Sequence, residues 1–190
     1  MRAGDGVRVV DLALATGGLG VRKELLGTLR AALLEDNGCF YVVNHDVPTH
    51  LIDGVFDHIE RFMAQPLEKK MDVHVRPLEE SPIWLGSGYY TFGESEARQM
   101  RPQADGTSQD LRSDSAKRRQ TEFYMLKYAR EAYRHNQYPS ESFKATCDAF
   151  VSCVLKMARE VISLTAAALG LPPSILDHFS NPTAQLRCNH

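Results

Sequence analysis

The sequence predicts an α/β (α+β) fold in which short strands alternate with amphipathic helices. Phe40 to Asn44 is a run of aromatic and β-branched side chains between turn residues, which is typical of a buried strand. Apolar residues recur at helical spacing on both sides of this run, over Val21 to Asp36 and over Thr49 to Met63. A further helical pattern from Ser140 to Leu169 predicts a helix about 45 Å long at 1.5 Å per residue. We therefore expect a helix–strand–helix unit around which the rest of the chain packs.

Composition narrows the class of protein. The chain has 190 residues, 43% hydrophobic and 24% charged, with a net charge of −2. These values are typical of a globular protein and do not indicate a basic surface for nucleic acid or a membrane. The four cysteines show no Cys-x-x-Cys spacing, and no secretory signal opens the sequence, so we expect a reduced, cytoplasmic protein. The expected partner is a small molecule, with no nucleic acid and no membrane involved.

Several shorter elements complete the expected order. The segment 97–120 is too polar to be buried and is interpreted as a loop, while Thr121 to Tyr128 fits a strand or a helix equally well. The other expected elements are strands at Val7–Leu12, Ile83–Phe92 and Gln185–Asn189, a helical turn at Leu67–Asp72 and a short helix at Pro173–Phe179.

Two patterns resemble metal and nucleotide sites but lack the geometry of either. His58-Ile59-Glu60 has the His-x-acid pattern of an iron site, but residues two apart on a helix lie about 200° apart, so they do not share a face. We therefore expect His58 to lie on a solvated helix face. The glycines from 17 to 20 lack the spacing of a dinucleotide-binding loop, so a flexible turn is expected there.

Five segments of the chain are similar to motifs that occur in the same order in one enzyme family. Gly38 to Pro48 is similar to a "GFFxVxNHGVP" signature, with Cys39 and Asp46 as departures. The other four segments are Val7–Leu12 ("pvIDL"), Gly88–Gly93 ("GYxxxG"), Asn136–Pro139 ("NQWP") and Leu186–His190 ("LRxNxYP"). Together they resemble the N-terminal half of the isopenicillin N synthase-like enzymes, the non-haem iron(II)- and 2-oxoglutarate-dependent dioxygenases.

The resemblance implies an organisation for the chain. Residues 1–120 would form the N-terminal dioxygenase region, with the polar loop 97–120 at its end. Residues 121–183 would form a connecting segment and the long central helix. Residues 184–190 would begin a double-stranded β-helix, or jelly roll, that is incomplete in this chain.

The resemblance also implies which site residues the chain contains. Iron(II) and 2-oxoglutarate are the implied cofactors, but the family's His-x-Asp, distant His and Arg-x-Ser motifs would follow His190, so no catalytic residue and no metal ligand is expected here. His45 is implied to be structural. Asn189 matches a position that hydrogen-bonds 2-oxoglutarate in several relatives, and an ordinary asparagine at the end of a strand is an equal alternative. The implied substrate-side residues are Tyr89, Tyr90 and Phe92.

Two functions follow for the sequence. The first is iron(II)- and 2-oxoglutarate-dependent oxidation of a small organic metabolite by the full-length protein, with this chain as its substrate-shaping half. Gly86 stands where the penicillin-forming branch has an arginine, which argues against a tripeptide substrate. The second is a truncated or degenerate paralogue that acts as a binding module without catalysis. In either case we expect the isolated chain to be inactive and to self-associate through the apolar stripe of its long helix.

Overall fold

The computed structural model describes residues 6–75, 87–91, 122–128, 135–172, 174–175 and 184–190. A 3-10 turn at Leu12–Thr16 follows the first strand. The strands are β1 (Arg8–Asp11), β2 (Phe40–Val43), β3 (Gly88–Tyr90), β4 (Phe123–Lys127) and β5 (Gln185–Asn189). The helices are α1 (Leu19–Leu34), α2 (Thr49–Met63), α3 (Leu67–Met71) and α4 (Glu141–Ala168). The chain divides into two compact units, residues 1–52 with 149–181, and residues 53–148 with 182–190.

The first unit is built on a two-stranded parallel sheet. Strand β1 pairs with β2 in a register that places Val10 beside Val42. One side of this sheet packs against α1 and the later turns of α4, where Leu25, Leu29 and Leu164 are buried. The side chain of Arg30 donates a hydrogen bond of 3.1 Å to the carbonyl oxygen of Ala168, which satisfies a carbonyl at the end of α4.

Strand β2 is confirmed as a strand, but the expectation that it is buried is wrong. Its side chains alternate between half-buried and exposed, and Tyr41 and Val43 are 49% and 37% exposed. Because β2 lies in a two-stranded sheet, only the face that carries Phe40 and Val42 packs on the core. Apolar residues on both faces made this half-exposed strand resemble a strand buried on both sides.

The turn after β2 explains one departure from the family signature. Asn44 and Asp46 adopt positive φ angles of 52° and 54°. Asn44 is held by a hydrogen bond of 2.8 Å from its side-chain amide to the carboxylate of Asp11. The signature has glycine where this chain has Asp46, and aspartate is among the few other residues that occupy the left-handed region readily.

The second unit is built on a three-stranded antiparallel sheet in the order β3-β4-β5. Thr121 to Tyr128, which the sequence left open between strand and helix, contains the central strand β4. The segment around His74 runs parallel to β3 on its other side and exchanges backbone hydrogen bonds of 2.9 Å with Tyr89. A Cβ atom on Gly88, whose φ is +135°, would come within 2.4 Å of the carbonyl oxygen of Val73, so this position requires glycine.

Of the remaining expectations about secondary structure and fold class, some are confirmed, one is partly wrong and some stay predictions. The long helix is confirmed, and it begins where the Ser140 hydroxyl accepts a hydrogen bond of 3.1 Å from the backbone N–H of Phe143. The expectation of a flexible turn over residues 17–20 is partly wrong, because α1 already includes Leu19 and Gly20. The mixed α/β class is confirmed, but two small sheets do not amount to a jelly roll, and the boundaries at 120 and 183 remain predictions. Among the described helices, none combines the length and the apolar character required to cross a bilayer.

Replacement of Leu29 tests the core of the first unit. Leu29 is completely buried, whereas Leu34 on the same helix is 58% exposed. Leu29→Ala should lower the free energy of unfolding by about 3 kcal/mol, because it removes buried methyl groups and leaves a cavity. Leu34→Ala is the matched control and should change it by about 0.5 kcal/mol or less. Equal losses in urea denaturation would show that α1 does not pack as described.

Candidate functional site

The three-stranded sheet separates the candidate residues onto two faces. Tyr90 lies beside Phe123 in the ladder, and Phe123 lies beside Asn189. Side chains directly opposite one another in neighbouring strands share a face. Because successive residues of a strand point to opposite sides, Tyr89 belongs to the other face. We call the side with Tyr90 and Asn189 the ligand face and the side with Tyr89 the helix face.

The ligand face carries a layered stack of side chains. The rings of Tyr90 and Phe123 are stacked with their centroids 4.3 Å apart and their planes at 12°. The guanidinium of Arg187 lies over Phe123, 3.9 Å from the ring centroid. The Nε of Arg187 donates a hydrogen bond of 2.9 Å to Oδ1 of Asn189. The two aromatic side chains are buried, while Arg187 and Asn189 are exposed, so the stack connects the interior to an accessible polar pair.

The helix face is filled by aromatic rings in edge-to-face geometry. Phe62 of α2 contacts the rings of Tyr89 and Tyr124 at centroid distances of 5.8 and 5.2 Å. Phe143 of α4 meets Tyr124 at 5.1 Å. Such pairs add stability beyond the burial of their surface. This face is therefore a packed core, and Tyr89 belongs to that core.

A buried ion pair anchors the helix face. The ammonium of Lys70 lies 3.0 and 2.7 Å from the two carboxylate oxygens of Glu122, and both side chains are less than 10% exposed. The hydroxyl of Tyr89 donates to the same carboxylate, and Nδ1 of His190 lies 3.3 Å from it. The backbone N–H of His190 also donates to the carbonyl oxygen of Glu122 at 2.9 Å. Glu122 therefore joins α3 to the strands β3 and β5.

The surroundings of Glu122 favour its charged form. Burial by itself would raise the pKa of this carboxyl, but hydrogen bonds from Lys70 and Tyr89, with the nearby charges of Lys70 and His190, hold the pKa below its ordinary value. By contrast, burial raises the pKa of the Cys147 and Cys188 thiols to about 12 and about 11. Neither thiol is ionised at neutral pH, which does not favour a nucleophilic role.

The turn before the long helix is hydrogen-bonded to the central strand of the same sheet and to the segments beside β3. The side chain of Asn136 makes hydrogen bonds of 3.0 and 2.9 Å with the backbone N–H and C=O of Lys127, at the end of β4. The side-chain amide of Gln137 donates to the carbonyl oxygens of His74 and Ser87 at 2.8 and 3.1 Å. The Asn-Gln-Tyr-Pro segment is thus a structural clamp, and both polar side chains are engaged with backbone.

The histidines that resemble iron ligands in the sequence have other roles. His58 is not on a solvated face as expected, since it is half-buried with its ring 5.6 Å from that of Phe143. Nδ1 of His45 accepts a hydrogen bond of 3.1 Å from the backbone N–H of Val47 and so stabilises the turn after β2. Within the described ranges, no three His, Cys, Asp or Glu side chains are grouped closely enough to hold a metal ion.

The sequence-based site is only partly described by the structure. Tyr90 and Asn189 come together in one row of the sheet, Tyr89 lies on the opposite face, and Phe92 lies outside the described residues. Lys70 and Glu122 were missed, because Lys70 stands in a polar stretch and Glu122 stands next to the polar segment 97–120. The available signal was that Glu122 and Tyr124 are two residues apart, so in an extended chain they lie on the same face.

Comparison with known proteins identifies the family. The model of the family described as "non-haem dioxygenase in morphine synthesis N-terminal" matches residues 7–141, which is most of the chain. The chain belongs to this family. It is therefore a non-haem dioxygenase N-terminal region, as the resemblance implied.

Individual relatives agree with this assignment. Gibberellin 20 oxidase 3 of Oryza sativa subsp. japonica is 28% identical over 187 residues, covering 97% of this chain and 46% of the relative. The crystal structure of a full-length Neurospora crassa protein in complex with alpha-KG and thymine has a TM-score of 0.68 at 18% identity, covering 97% and 56% of the two chains. A putative 2OG-Fe(II) oxygenase family protein from Caulobacter crescentus has a TM-score of 0.64 at 18% identity, covering 95% and 55%. The matches span 25 to 46% of the lengths of the curated relatives.

Removal of the buried carboxylate tests the anchor of the helix face. Glu122→Gln leaves the ammonium of Lys70 buried without a countercharge, so the free energy of unfolding should fall by about 3 kcal/mol. The double variant Lys70→Met/Glu122→Gln removes both charges, so its free energy of unfolding should fall much less than that of Glu122→Gln, because no unpaired charge remains. Urea denaturation of the wild type, Lys70→Met, Glu122→Gln and the double variant measures the coupling energy between the two residues. If the losses of unfolding free energy in the single variants add up to the loss in the double variant, the pairing is contradicted.

The same variants give a pH dependence with a defined sign. Because the pKa of folded Glu122 lies below the reference value of 4.5, its contribution to stability is complete above pH 4.5 and is lost as the pH falls through the folded pKa. The difference in stability between wild type and Glu122→Gln should therefore be constant above pH 4.5 and shrink below it. A difference that grows on acidification would mean that the carboxylate is not stabilised by its partners.

Proposed function

We propose that this chain is the N-terminal part of an iron(II)- and 2-oxoglutarate-dependent oxygenase that oxidises a small organic metabolite. Hydroxylation, desaturation and ring closure are the reaction types we consider. Membership of the non-haem dioxygenase family supports the general reaction. The observation that carries the proposal in the structure is the exposed amide of Asn189, at the end of β5 on the same face as Tyr90.

The residues fit 2-oxoglutarate better than they fit iron. A carboxylate accepts hydrogen bonds, and the NH₂ group of Asn189 can donate them beside the positive charge of Arg187. The described residues contain no three-ligand group, so we assign no iron ligand among them. When bound by a facial set of two histidines and a carboxylate, iron(II) supplies open positions at which dioxygen is activated.

The two tyrosines receive different roles in this proposal. Tyr90 stacks on Phe123 within the ligand face, where it shapes the wall beside Asn189. The hydroxyl of Tyr89 donates a hydrogen bond to Glu122 on the helix face, so we assign Tyr89 a role in stabilising the fold and not in contacting the substrate. Phe92 remains a prediction as a substrate-side residue.

Turnover of 2-oxoglutarate tests the proposal. We expect the complete product of the gene, with iron(II), to convert 2-oxoglutarate and dioxygen to succinate and carbon dioxide, with one oxygen atom entering succinate and the other reduced to water by added ascorbate when no substrate is present. The purified 190-residue chain should form no succinate. Asn189→Ala in the complete product should raise the KM for 2-oxoglutarate about tenfold, the effect of losing one hydrogen bond to a charged group. Tyr89→Phe is the control and should lower stability without changing that KM.

Two outcomes would contradict the proposal. Succinate formation by the 190-residue chain alone would show that it contains an iron site, against the assignment made here. An unchanged KM for 2-oxoglutarate in Asn189→Ala would remove Asn189 from the cofactor site and leave it an ordinary asparagine at a strand end.

A further inference from the structure

We propose that Arg187 is a positioning residue that orients the side-chain amide of Asn189 toward an anionic, carboxylate-bearing ligand. The inference rests on the proposed function and adds to it a positioning role for Arg187. It begins from one hydrogen bond, of 2.9 Å, between Nε of Arg187 and Oδ1 of Asn189.

The chemistry of the two groups fixes which end of the amide faces the arginine. A guanidinium only donates hydrogen bonds, and only the oxygen of an amide accepts them. Oδ1 of Asn189 is therefore directed at Arg187, and the NH₂ group is directed away from it. Within the part of the chain that the structure describes, that NH₂ group has no hydrogen-bond partner, so both of its hydrogens are available to a ligand.

The arginine is itself held in place by the sheet. Its guanidinium lies 3.9 Å from the centroid of the Phe123 ring, within the range of a cation–π contact. Phe123 is 2% exposed and is stacked on Tyr90, which is fully buried. Arg187 pairs with Met125 in the ladder, and Asn189 pairs with Phe123, so the contact runs along the diagonal of one sheet face. The exposed side chain of Arg187 is thereby restricted by its contact with the buried ring of Phe123.

This arrangement selects the chemistry of the ligand. An amide that offers only its NH₂ group binds oxygen acceptors and offers nothing to ligand hydroxyls or amines that need an acceptor. The nearby guanidinium adds a positive charge, and its Nη groups remain available for a second oxygen. Glu122 directly precedes Phe123 in the sequence, but its carboxylate lies on the opposite face of the sheet and is paired with Lys70, so it does not repel an anion on the ligand face. A carboxylate group meets all of these requirements.

Nuclear magnetic resonance on the complete gene product tests the inference without any turnover. The first readout is the heteronuclear NOE of the Asn189 side-chain ¹⁵Nδ2, which reports its order on the picosecond to nanosecond timescale. The second is the shift of the same resonance on titration with 2-oxoglutarate, with sodium chloride at equal ionic strength as the reference. The variants are Arg187→Gln and Arg187→Lys, and Arg159→Gln removes an exposed arginine of α4 with the same charge change.

The expected results separate positioning from charge. In wild type and in Arg159→Gln the amide should be ordered, and its resonance should move saturably with 2-oxoglutarate but not with chloride. Arg187→Gln should lose that order and bind 2-oxoglutarate about three- to tenfold more weakly, as expected for one cation–π contact and one hydrogen bond. Arg187→Lys should lose the order as well but retain part of the affinity, because it keeps the charge without the planar fork.

Four results would overturn the inference, and each identifies which part of it fails. A mobile Asn189 amide in the wild-type chain, or equal order in all four proteins, removes the positioning role of Arg187 and leaves the proposed function intact. Equal 2-oxoglutarate affinity in wild type and Arg187→Gln removes the contribution of Arg187 to the ligand. An ordered amide that does not respond to 2-oxoglutarate overturns the ligand chemistry together with the proposed cofactor contact.

Discussion

The ion pair between Lys70 and Glu122 is the interaction on which the second unit depends. Two buried charges are costly to remove from water, and they are tolerated only where their remaining hydrogen-bonding capacity is also satisfied. Here the carboxylate meets the ammonium, the hydroxyl of Tyr89 and the imidazole of His190. The ammonium in turn donates to the carbonyl oxygen of Met63 at 3.3 Å. One carboxylate thus connects the ends of two helices with three neighbouring strands.

This anchor fixes the face of the sheet on which each tyrosine lies. Because Tyr89 is tied to Glu122 on the helix face, the alternation of the strand directs Tyr90 to the other side. There the ring of Tyr90 stacks on Phe123, the guanidinium of Arg187 lies over Phe123, and Nε of Arg187 donates a hydrogen bond to Asn189. Both faces carry buried side chains, and the ligand face also presents the exposed polar pair of Arg187 and Asn189. Two adjacent tyrosines of this chain therefore lie on opposite faces of the sheet, and only Tyr89 is hydrogen-bonded to Glu122.

Sequence patterns predicted local structure well and long-range pairing poorly. The long helix and the strand before the Asn44 turn follow from periodicity and turn chemistry over a few residues, and these agree with the structure. The exposure of Tyr41 depends on how many strands flank β2, which no local pattern contains. Lys70 and Glu122 are 52 residues apart in the sequence, so their pairing depends on the fold and not on spacing. Asn189 was found through family resemblance, whereas its link to Arg187 required the sheet geometry.

The position of 2-oxoglutarate relative to the two faces tests the central claim most directly. A crystal structure of the complete gene product with 2-oxoglutarate bound would show which side of the sheet the ligand occupies. We expect a ligand carboxylate oxygen about 3 Å from Nδ2 of Asn189, the usual length of such a hydrogen bond, on the side of Tyr90 and Arg187. A ligand beside Tyr89, or one out of reach of the Asn189 amide, would contradict the division of the sheet into a helix face and a ligand face.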